Sequence, residues 1–303
     1  MADYDVLVIG AGMGGLSAGA QLAQQGRKVL ILEQANRIGG CCSTFEQDGY
    51  RFDLGASLLE GVSLIEKVFN RLGTTLKDEV ELLLCDPIYT VVTKDGVRIP
   101  PPPPVDAVAE EIRKIAPNEV QNWRRFCTDM KDLLENVLPL FESPMNSMAD
   151  FVQFFAQHPR LLKYSPLFLC SYQDVIQSYF KDAHVREFLD YQSRYFGLPP
   201  ALCPGAFAMV PYMEHTGVYY CKGGMGMLPA ALRRCGERFG MQVRLRALVD
   251  KVLIRDRRAV GVRLADGTEI TADIVVSNIN AKTLYLNLIG AEHLPWLTRV
   301  GIQ

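Results

Sequence analysis

The chain begins with an apolar run that does not alternate between hydrophobic and polar positions. The segment DVLVIG, residues 5–10, predicts a central strand of a parallel sheet that is covered on both faces. Apolar and small residues then recur at helical spacing in residues 16–26, and the final glycine predicts a helix C-cap. KVLILE, residues 28–33, is the next apolar run. Strand, helix and strand in close succession predict a βαβ unit with a right-handed crossover.

The pattern changes twice further along the chain. Two strand-like runs flank residues 94–96, where Asp-Gly between apolar positions predicts a hairpin. The five prolines at 100–104 predict a rigid polyproline spacer. Residues 105–196 show mainly helical periodicity. A helical segment at 228–240 then leads into strand-like runs up to residue 278, so the α/β pattern returns.

Composition and charge exclude several classes of protein. The 303 residues are 49% hydrophobic and 22% charged with a net charge of −2, which fits a globular protein and predicts no nucleic-acid partner. The eight cysteines show no CxxC spacing and the four histidines are scattered, so the sequence predicts no metal site. The same pattern argues against a secreted disulfide scaffold and favours a reducing compartment. No signal peptide is visible, and residues 195–213, the longest uncharged run, contain four prolines. We therefore expect a cytoplasmic protein, either soluble or peripherally attached to a membrane.

Three glycines follow the first strand in the spacing of a dinucleotide-binding turn. Gly10 permits the tight turn, Gly12 lets the backbone approach a pyrophosphate, and Gly15 lets the helix pack closely on the strand. The helix N-terminus offers free N–H groups to the phosphates. Glu33 ends the second strand, where a carboxylate accepts hydrogen bonds from ribose hydroxyls. Together these features predict dinucleotide binding.

Arg37-Ile38-Gly39-Gly40 goes beyond what a simple nicotinamide site needs. Two glycines permit another close approach of backbone, and the arginine is placed to oppose phosphate charge, although an ordinary surface turn would have the same composition. With the glycine turn and Glu33, this segment resembles the extended FAD fingerprint of the amine oxidase and phytoene desaturase superfamily. Residues 49–59 (GYRFDLGASLL) and 219–232 (YYCKGGMGMLPAAL) resemble phytoene desaturases, carotenoid cis-trans isomerases and retinol saturases, with Cys221 where the family usually has proline.

The resemblance implies FAD as the cofactor and a set of residues that bind it. In the family the segment matching FD-x-G (52–55) passes the flavin, the residue matching Val249 lies against the adenine, and the strand matching VVSN (275–278) closes back on the cofactor. The implied cofactor-binding residues are Gly10, Ala11, Gly12, Met13, Gly14, Gly15, Glu33, Gln34, Arg37, Gly39, Gly40, Gly55, Ala56, Ser57 and Val249.

The same resemblance implies a fold and a division into domains. We expect an α/β protein: a discontinuous, Rossmann-type FAD-binding domain with an inserted, largely helical substrate domain. The FAD-binding domain is predicted at 1–80 and 219–290, and the substrate domain at 81–218. Residues 291–303 are interpreted as the start of a truncated continuation, because family members run on through more substrate domain and a Gly-rich segment that contacts the flavin.

The implied function is an FAD-dependent oxidoreductase that acts on a long apolar polyene, by desaturation, isomerisation or saturation. An amine or porphyrinogen oxidase shares the FAD fingerprint, and Rab GDP-dissociation inhibitors share the fold while binding a prenylated partner. The polyene, the electron acceptor, the oligomeric state and the independent activity of 303 residues stay open. No catalytic residue is assigned, because a flavin carries the redox chemistry itself.

Three smaller features each leave two interpretations. Glu214 and His215 form a polar pair, for which a structural histidine is preferred over a catalytic one. Cys41 and Cys42 are interpreted as small buried thiols rather than a redox pair, because adjacent cysteines form an awkward disulfide. The aromatic stripe at 151–162, with Arg160 and Lys163 beside it, is interpreted as a core helix, with a membrane-dipping helix as the alternative.

Overall fold

The computed structural model describes residues 2–143, 147–294, 299 and 301. The chain forms two compact units: residues 1–83 with 220–303 make the first, and residues 84–219 make the second. The predicted boundaries at 80/81 and 218/219 separate an FAD-binding domain from a substrate domain. They stay a prediction, because the two compact units are distinguished by packing and not by what each unit binds. The predicted continuation at 291–303 lies largely outside the described residues.

The first unit begins with the predicted βαβ pattern. Its elements up to residue 84 are β1 (Tyr4–Ile9), α1 (Met13–Gln24), β2 (Val29–Leu32), β3 (Cys42–Gln47), β4 (Tyr50–Gly55), α2 (Val62–Arg71), α3 (Leu76–Glu79) and the boundary strand β5 (Leu82–Leu84). Helix α1 ends before Gly26, whose φ of +83° is the left-handed conformation expected at a C-cap. The predicted strand–helix–strand order is confirmed.

The second unit is mainly helical. Its two short strands, β6 (Val91–Val92) and β7 (Arg98–Ile99), pair antiparallel and confirm the predicted hairpin. The helices are α4 (Val105–Ile115), α5 (Val120–Glu142), α6 (Met148–Gln157), α7 (Tyr172–Tyr179), α8 (Ala183–Asp190) and α9 (Val210–Glu214), with 3₁₀ segments at Pro117–Glu119, Pro159–Phe168, Tyr191–Phe196 and Gly205–Met209. Its core is aromatic, because Trp123, Phe126, Tyr172, Phe180 and Phe188 are fully buried.

The chain then returns to the first unit as an α/β structure. Its remaining elements are β8 (Tyr219–Cys221), α10 (Met227–Arg238), β9 (Gln242–Arg244), β10 (Val249–Arg255), β11 (Arg258–Leu264), β12 (Glu269–Ser277), a π-helical segment (Thr283–Gly290) and a 3₁₀ turn (Ala291–His293). The predicted helix at 228–240 and the strands that follow it are confirmed.

A six-stranded sheet joins both parts of the first unit in the order β10-β11-β12-β1-β2-β9. Strand β1 runs parallel to both β2 and β12, and β9 runs parallel to β2, whereas β10, β11 and β12 form an antiparallel meander. The residues of β2 are all buried, as the unbroken apolar run predicted. The parallel centre of the sheet confirms the α/β fold class.

Helices α1 and α10 pack closely because small residues lie at their contacts. A Cβ atom on Gly236 would lie 3.1 Å from the Cβ of Ala20 and 2.4 Å from Cε of Met241. A Cβ atom on Gly19 would lie 2.8 Å from Cδ1 of Ile31 on β2. Glycine at these positions lets the helices approach each other and the sheet.

Across the described part of the chain, no helix combines the length and the apolar character needed to cross a bilayer.

Candidate functional site

The glycine turn between β1 and α1 leaves no room for side chains. A Cβ atom on Gly15 would lie 2.1 Å from the carbonyl oxygen of Gly10, a separation that backbone cannot relieve without moving. Gly10 itself has a φ of +98°, a conformation that favours glycine. The turn therefore passes close under the N-terminus of α1, as the spacing of the glycines predicted.

The N-terminus of α1 carries backbone donors that no side chain of the described residues caps. Gly12 is the N-cap residue and has no capping side chain, and the first turn contains no acidic residue. The first N–H groups of a helix have no partner within the helix, and the helix dipole adds partial positive charge there. This end of α1 can therefore bind an anion such as a diphosphate.

The Glu33 carboxylate connects the end of β2 to the glycine turn. Its Oε2 accepts a hydrogen bond from the Ala11 N–H, and its Oε1 accepts one from the Ala35 N–H, both at 2.8 Å. Each carboxylate oxygen can accept a second bond. Glu33 can therefore position the turn and still accept hydrogen bonds from the hydroxyls of a ligand.

A pocket of about 320 Å³, here called the strand-end pocket, lies where β1 and β2 end. Four predicted residues line it: Gly10, Glu33, Gln34 and Val249. Its remaining wall is formed by Ile9, Leu32, Ala247, Leu248, Ile279, Asn280, Thr283, Asn287 and Leu288. Sequence patterns do not indicate the residues from 279 onward, because these lie in the π-helical segment or just before it and carry no glycine or acidic signature. Their nearest signal was the VVSN end of β12.

Gly39 and Gly40 lie directly beside the glycine turn. The Gly39 N–H donates to the carbonyl oxygen of Ala11 at 2.7 Å, and Gly39 forms an isolated parallel bridge with Gly12. Gly39 has a φ of +104°, and a Cβ atom there would lie 2.8 Å from the carbonyl oxygen of Cys42. The double glycine therefore allows a close approach of backbone, as predicted, and the backbone that it approaches is that of the glycine turn.

Arg37 lies on a second concave surface, here called the hairpin cleft. This cleft has a volume of about 340 Å³ and is also lined by Thr44, Gly223 and Gly226. The Arg37 guanidinium is exposed and lies 5.8 Å from the centre of the Phe45 ring. An exposed guanidinium is available for an anionic ligand.

The segment at 55–57 is held next to the double glycine. The Ala56 N–H donates to the carbonyl oxygen of Cys41 at 3.0 Å, and Gly55 has a φ of +79°. A Cβ atom on Gly55 would lie 2.7 Å from that same oxygen. Hydrogen bonds to the backbone thus bring the glycine turn, Glu33, the double glycine and Gly55-Ala56 together. Met13 is the first residue of α1, directly after the turn, and Ser57 follows Ala56.

Asp53 forms a hydrogen-bonded centre that the sequence analysis did not assign to the site. Its Oδ2 accepts from the Tyr220 hydroxyl at 2.8 Å, and its Oδ1 accepts from the Thr44 hydroxyl and from the Met225 N–H at 2.5 and 2.9 Å. Thr44 Oγ1 in turn accepts from the Gly226 N–H at 2.8 Å. Asp53 therefore joins the β3–β4 hairpin to the start of α10.

The interpretation of Cys41 and Cys42 as buried thiols is wrong for Cys41, which is exposed, and only partly right for Cys42, which is partly buried. Both thiols are free, and the Cys42 thiol donates weakly to the carbonyl oxygen of Met225 at 3.5 Å. Burial raises the pKa of the Cys42 thiol, which disfavours the reactive thiolate.

Glu214 and His215 lie inside the second unit. Glu214 is fully buried and accepts hydrogen bonds from the Tyr89 hydroxyl at 2.8 Å and from the Gln192 amide. His215 Nδ1 lies 3.1 Å from the carbonyl oxygen of Pro102, while Nε2 is buried without a partner in the described structure. Burial lowers the pKa of His215 to about 4, so this histidine is neutral at pH 7. The preferred interpretation is a structural histidine with satisfied hydrogen bonds. The structure agrees with it at Nδ1, which has a partner, and not at Nε2.

The aromatic stripe at 151–162 divides between core and surface. Phe154 and Leu161 are buried, whereas Phe151 and Leu162 are 47% and 61% exposed. The core interpretation is therefore right for one face of α6 and wrong for the other.

No group of three or more metal-binding side chains is found in residues 2–143 and 147–294.

Comparison with known proteins places these features in a wider group. A sequence profile for flavin containing amine oxidoreductases matches residues 13–300. The chain is 31% identical over 276 residues to a 4,4'-diapolycopene oxygenase from Methylomonas sp, covering 90% of this chain and 55% of that protein. It is 33% identical over 295 residues to a phytoene desaturase from Cercospora nicotianae, covering 93% and 46%. The chain thus spans about half the length of the curated relatives it matches.

The fold is also found in solved structures. A putrescine oxidase variant is similar with a TM-score of 0.67 at 18% sequence identity, over 99% of this chain and 63% of that one. At this level of identity the likeness shows the fold alone.

Proposed function

Because the chain belongs to the flavin-containing amine oxidoreductase family and its cofactor is FAD, we propose that it is an FAD-dependent oxidoreductase acting on a long apolar polyene of the carotenoid or retinoid class. The observation that carries this proposal is the meeting of the glycine turn, Glu33 and Val249 around one pocket. The choice of a polyene as the substrate is supported by the relatives, which are a phytoene desaturase and a diapolycopene oxygenase.

The described residues fit FAD in three respects. The glycine turn is a cradle that a Cβ atom on Gly15 would fill, and the uncapped end of α1 offers donors to a diphosphate. Glu33 keeps acceptor capacity for ribose hydroxyls at the strand-end pocket. We assign Gln34 and Val249 to the adenosine end of the cofactor, because both line that pocket.

The remaining predicted residues are assigned toward the flavin end. Gly39 and Gly40 lie against the glycine turn, and Gly55-Ala56 continues from them through Cys41. The exposed Arg37 guanidinium provides positive charge on the hairpin cleft. When bound, the flavin supplies the redox chemistry, and the protein supplies binding, orientation and exclusion of water.

The test begins with FAD binding by the purified chain. We expect a flavin spectrum that is released on denaturation and that is lost in Glu33→Ala. The flavoprotein is then incubated anaerobically with phytoene in neutral phosphatidylcholine vesicles, once with oxidised and once with reduced FAD. Desaturation starts from the oxidised form, whereas isomerisation or saturation starts from the reduced form.

The alternatives predict different results in parallel assays of the same chain. Hydrogen peroxide formed from oxygen during aerobic incubation with putrescine or with a porphyrinogen, with phytoene unchanged in the anaerobic assay, would favour the amine or porphyrinogen oxidase. Binding of a geranylgeranylated peptide without flavin would favour the module that resembles GDP-dissociation inhibitors. A chain that binds flavin but changes no polyene in either redox state would contradict the proposal.

We also propose that the outer face of α6 and the 3₁₀ segment after it makes peripheral contact with a membrane. Exposed apolar side chains occur along α6, the 3₁₀ segment and the residue after it, and together they are here called the α6 surface: Met148, Phe151, Val152, Leu162, Phe168 and Leu169. Leu169 is 89% exposed and Met148 is 77% exposed. Apolar side chains grouped in this way favour the interface of a bilayer, from which an apolar substrate would be collected.

Sedimentation with phosphatidylcholine vesicles tests the membrane contact. The double variant Phe151→Ser/Leu169→Ser should reduce the bound fraction several-fold, because it removes two apolar anchors. Val92→Ser is the matched control, because Val92 is 54% exposed on the β6–β7 hairpin. Equal binding by the double variant and the control would contradict the proposal.

A further inference from the structure

Asn278 is the first residue beyond β12, directly beside the glycine turn. In the parallel pair of β1 and β12, Ile9 lies opposite Ser277. The Asn278 N–H continues the ladder by donating to the carbonyl oxygen of Ile9 at 2.9 Å. Asn278 therefore leaves the sheet at the level where Gly10 begins the turn.

The Asn278 side chain lies over the turn in space that the glycines leave open. A Cβ atom on Gly14 would lie 2.6 Å from Nδ2 of Asn278, and one on Gly12 would lie 3.1 Å from its Oδ1. Its backbone oxygen would lie 3.2 Å from a Cβ atom on Gly10. The carboxamide thus faces the turn and the beginning of α1.

This carboxamide has no hydrogen-bond partner among the described residues, and Asn278 is exposed. An amide carries two N–H donors and one acceptor oxygen. Asn280, two residues further on, is different, because its Oδ1 accepts from the Thr283 N–H at 3.3 Å. The donors of Asn278 are therefore available to a ligand at the turn.

The topology of the sheet supports a ligand at this place. Strand β1 leads through α1 to β2 on one side, whereas β12, which the π-helical segment follows, lies on the other side of β1. In open α/β sheets, ligands bind in the crevice at such a switch point. Glu33 follows β2 on one side of the crevice, and Asn278 follows β12 on the other.

We propose that Asn278 is a further phosphate-binding residue, whose carboxamide N–H groups donate to the diphosphate of the dinucleotide. The inference rests on the proposed assignment of the glycine turn as the diphosphate site. The end of α1 supplies backbone donors from one direction, and Asn278 supplies side-chain donors from the β12 side. A negatively charged side chain at this position would oppose the phosphate charge.

Calorimetric titration of the 303-residue chain with ADP and with adenosine tests the proposal. Asn278→Ala should weaken ADP binding about 10-fold and leave adenosine binding unchanged, because only ADP has a diphosphate. Asn278→Asp should weaken ADP binding more than Asn278→Ala does, with a difference that shrinks at high salt. Asn278→Gln, which keeps the donors, should recover part of the affinity.

The outcomes separate this inference from the function on which it rests. Wild-type binding of ADP that Asn278→Ala leaves unchanged, or equal losses for ADP and adenosine, would overturn the role of Asn278 alone. A wild-type chain that binds neither ADP nor FAD would overturn the diphosphate site and this inference together. Thermal unfolding without ligand shows whether a variant acts through the fold, since a phosphate contact leaves the midpoint of the ligand-free chain unchanged.

Discussion

The Ala11 N–H donates a 2.8 Å hydrogen bond to Oε2 of Glu33, which ties the glycine turn to the residue that follows β2. A second bond, from the Ala35 N–H, occupies the other oxygen of the same carboxylate. Glu33 thus has two roles. Its carboxylate holds the backbone of the glycine turn, and the same residue lines the strand-end pocket. Its two contributions can be separated, because glutamine keeps one acceptor oxygen and alanine keeps none.

Substitution of Glu33 should affect FAD binding more than folding. Glu33→Gln should lower FAD affinity about 10-fold through loss of a charged acceptor, and Glu33→Ala should lower it further. Fluorescence titration with FAD measures the affinities, and urea unfolding measures stability. Gln47→Ala, at an exposed hairpin position outside the hairpin cleft, is the control that should leave affinity unchanged. Unaltered FAD binding in Glu33→Ala would contradict the assignment of Glu33.

Gly15→Ala should destabilise the chain by about 1–3 kcal/mol, because the added methyl group would lie against the carbonyl oxygen of Gly10. Urea unfolding followed by circular dichroism measures the change. Ser17→Ala lies two residues further along α1 and should change stability by less than about 0.5 kcal/mol. Equal stabilities for the two variants would show that the turn can widen.

Asp53→Ala should cost about 3 kcal/mol of unfolding free energy, because it leaves the donors of Thr44, Tyr220 and Met225 without their acceptor. Glu46→Ala is the matched control, since it removes an exposed ion pair with Arg51 on the same hairpin. Exposed pairs contribute about 0–1 kcal/mol. A loss in Asp53→Ala no larger than that of the control would argue against Asp53 as the centre that holds this hairpin to α10.

Tyr89→Phe should destabilise the second unit by about 1.5–3 kcal/mol, because it removes a donor to the buried Glu214 carboxylate. Tyr191→Phe is the control, since its ring lies 5.4 Å from that of Tyr89 but is 39% exposed. Chemical unfolding of both variants measures the difference. If the two variants lose the same free energy, the bond from Tyr89 to Glu214 contributes little.

His215 should make the chain less stable as the pH falls from about 6.5 to 4. Burial lowers its pKa from 6.5 to about 4 in the folded state, so the unfolded chain binds more protons in this window. The free energy of unfolding should fall by about 3 kcal/mol across it. Urea unfolding at several pH values should show this slope in the wild type and not in His215→Gln.

His184 does not contribute to the slope between pH 6.5 and 4. Its hydrogen bond to Asp95 raises its pKa, so its stabilisation of the folded state is complete below pH 6.5 and is lost only as the pH rises above that value. The contribution of His215 is therefore the difference in slope between the wild type and His215→Gln. A wild-type slope that persists in His215→Gln would mean that another group titrates.

The structure confirms the local patterns and adds contacts that those patterns do not contain. Apolar periodicity predicted β1, α1, β2 and the hairpin at 94–96 because these elements depend on neighbouring residues. The exposure of Cys41 was missed, because burial depends on what packs above a residue rather than on its own type. For the same reason, α6 buries Phe154 and exposes Phe151 although both are aromatic.

By itself, the sequence determined the α/β class, the glycine turn and the acid after the second strand, since spacing along one short segment sets all three. Only the tertiary structure decided that Asp53 holds the start of α10, that residues 279–288 wall the strand-end pocket, and that Asn278 lies over Gly12 and Gly14. These contacts join segments that are distant along the chain. Their geometry comes from sheet order and helix packing, which local propensities do not specify.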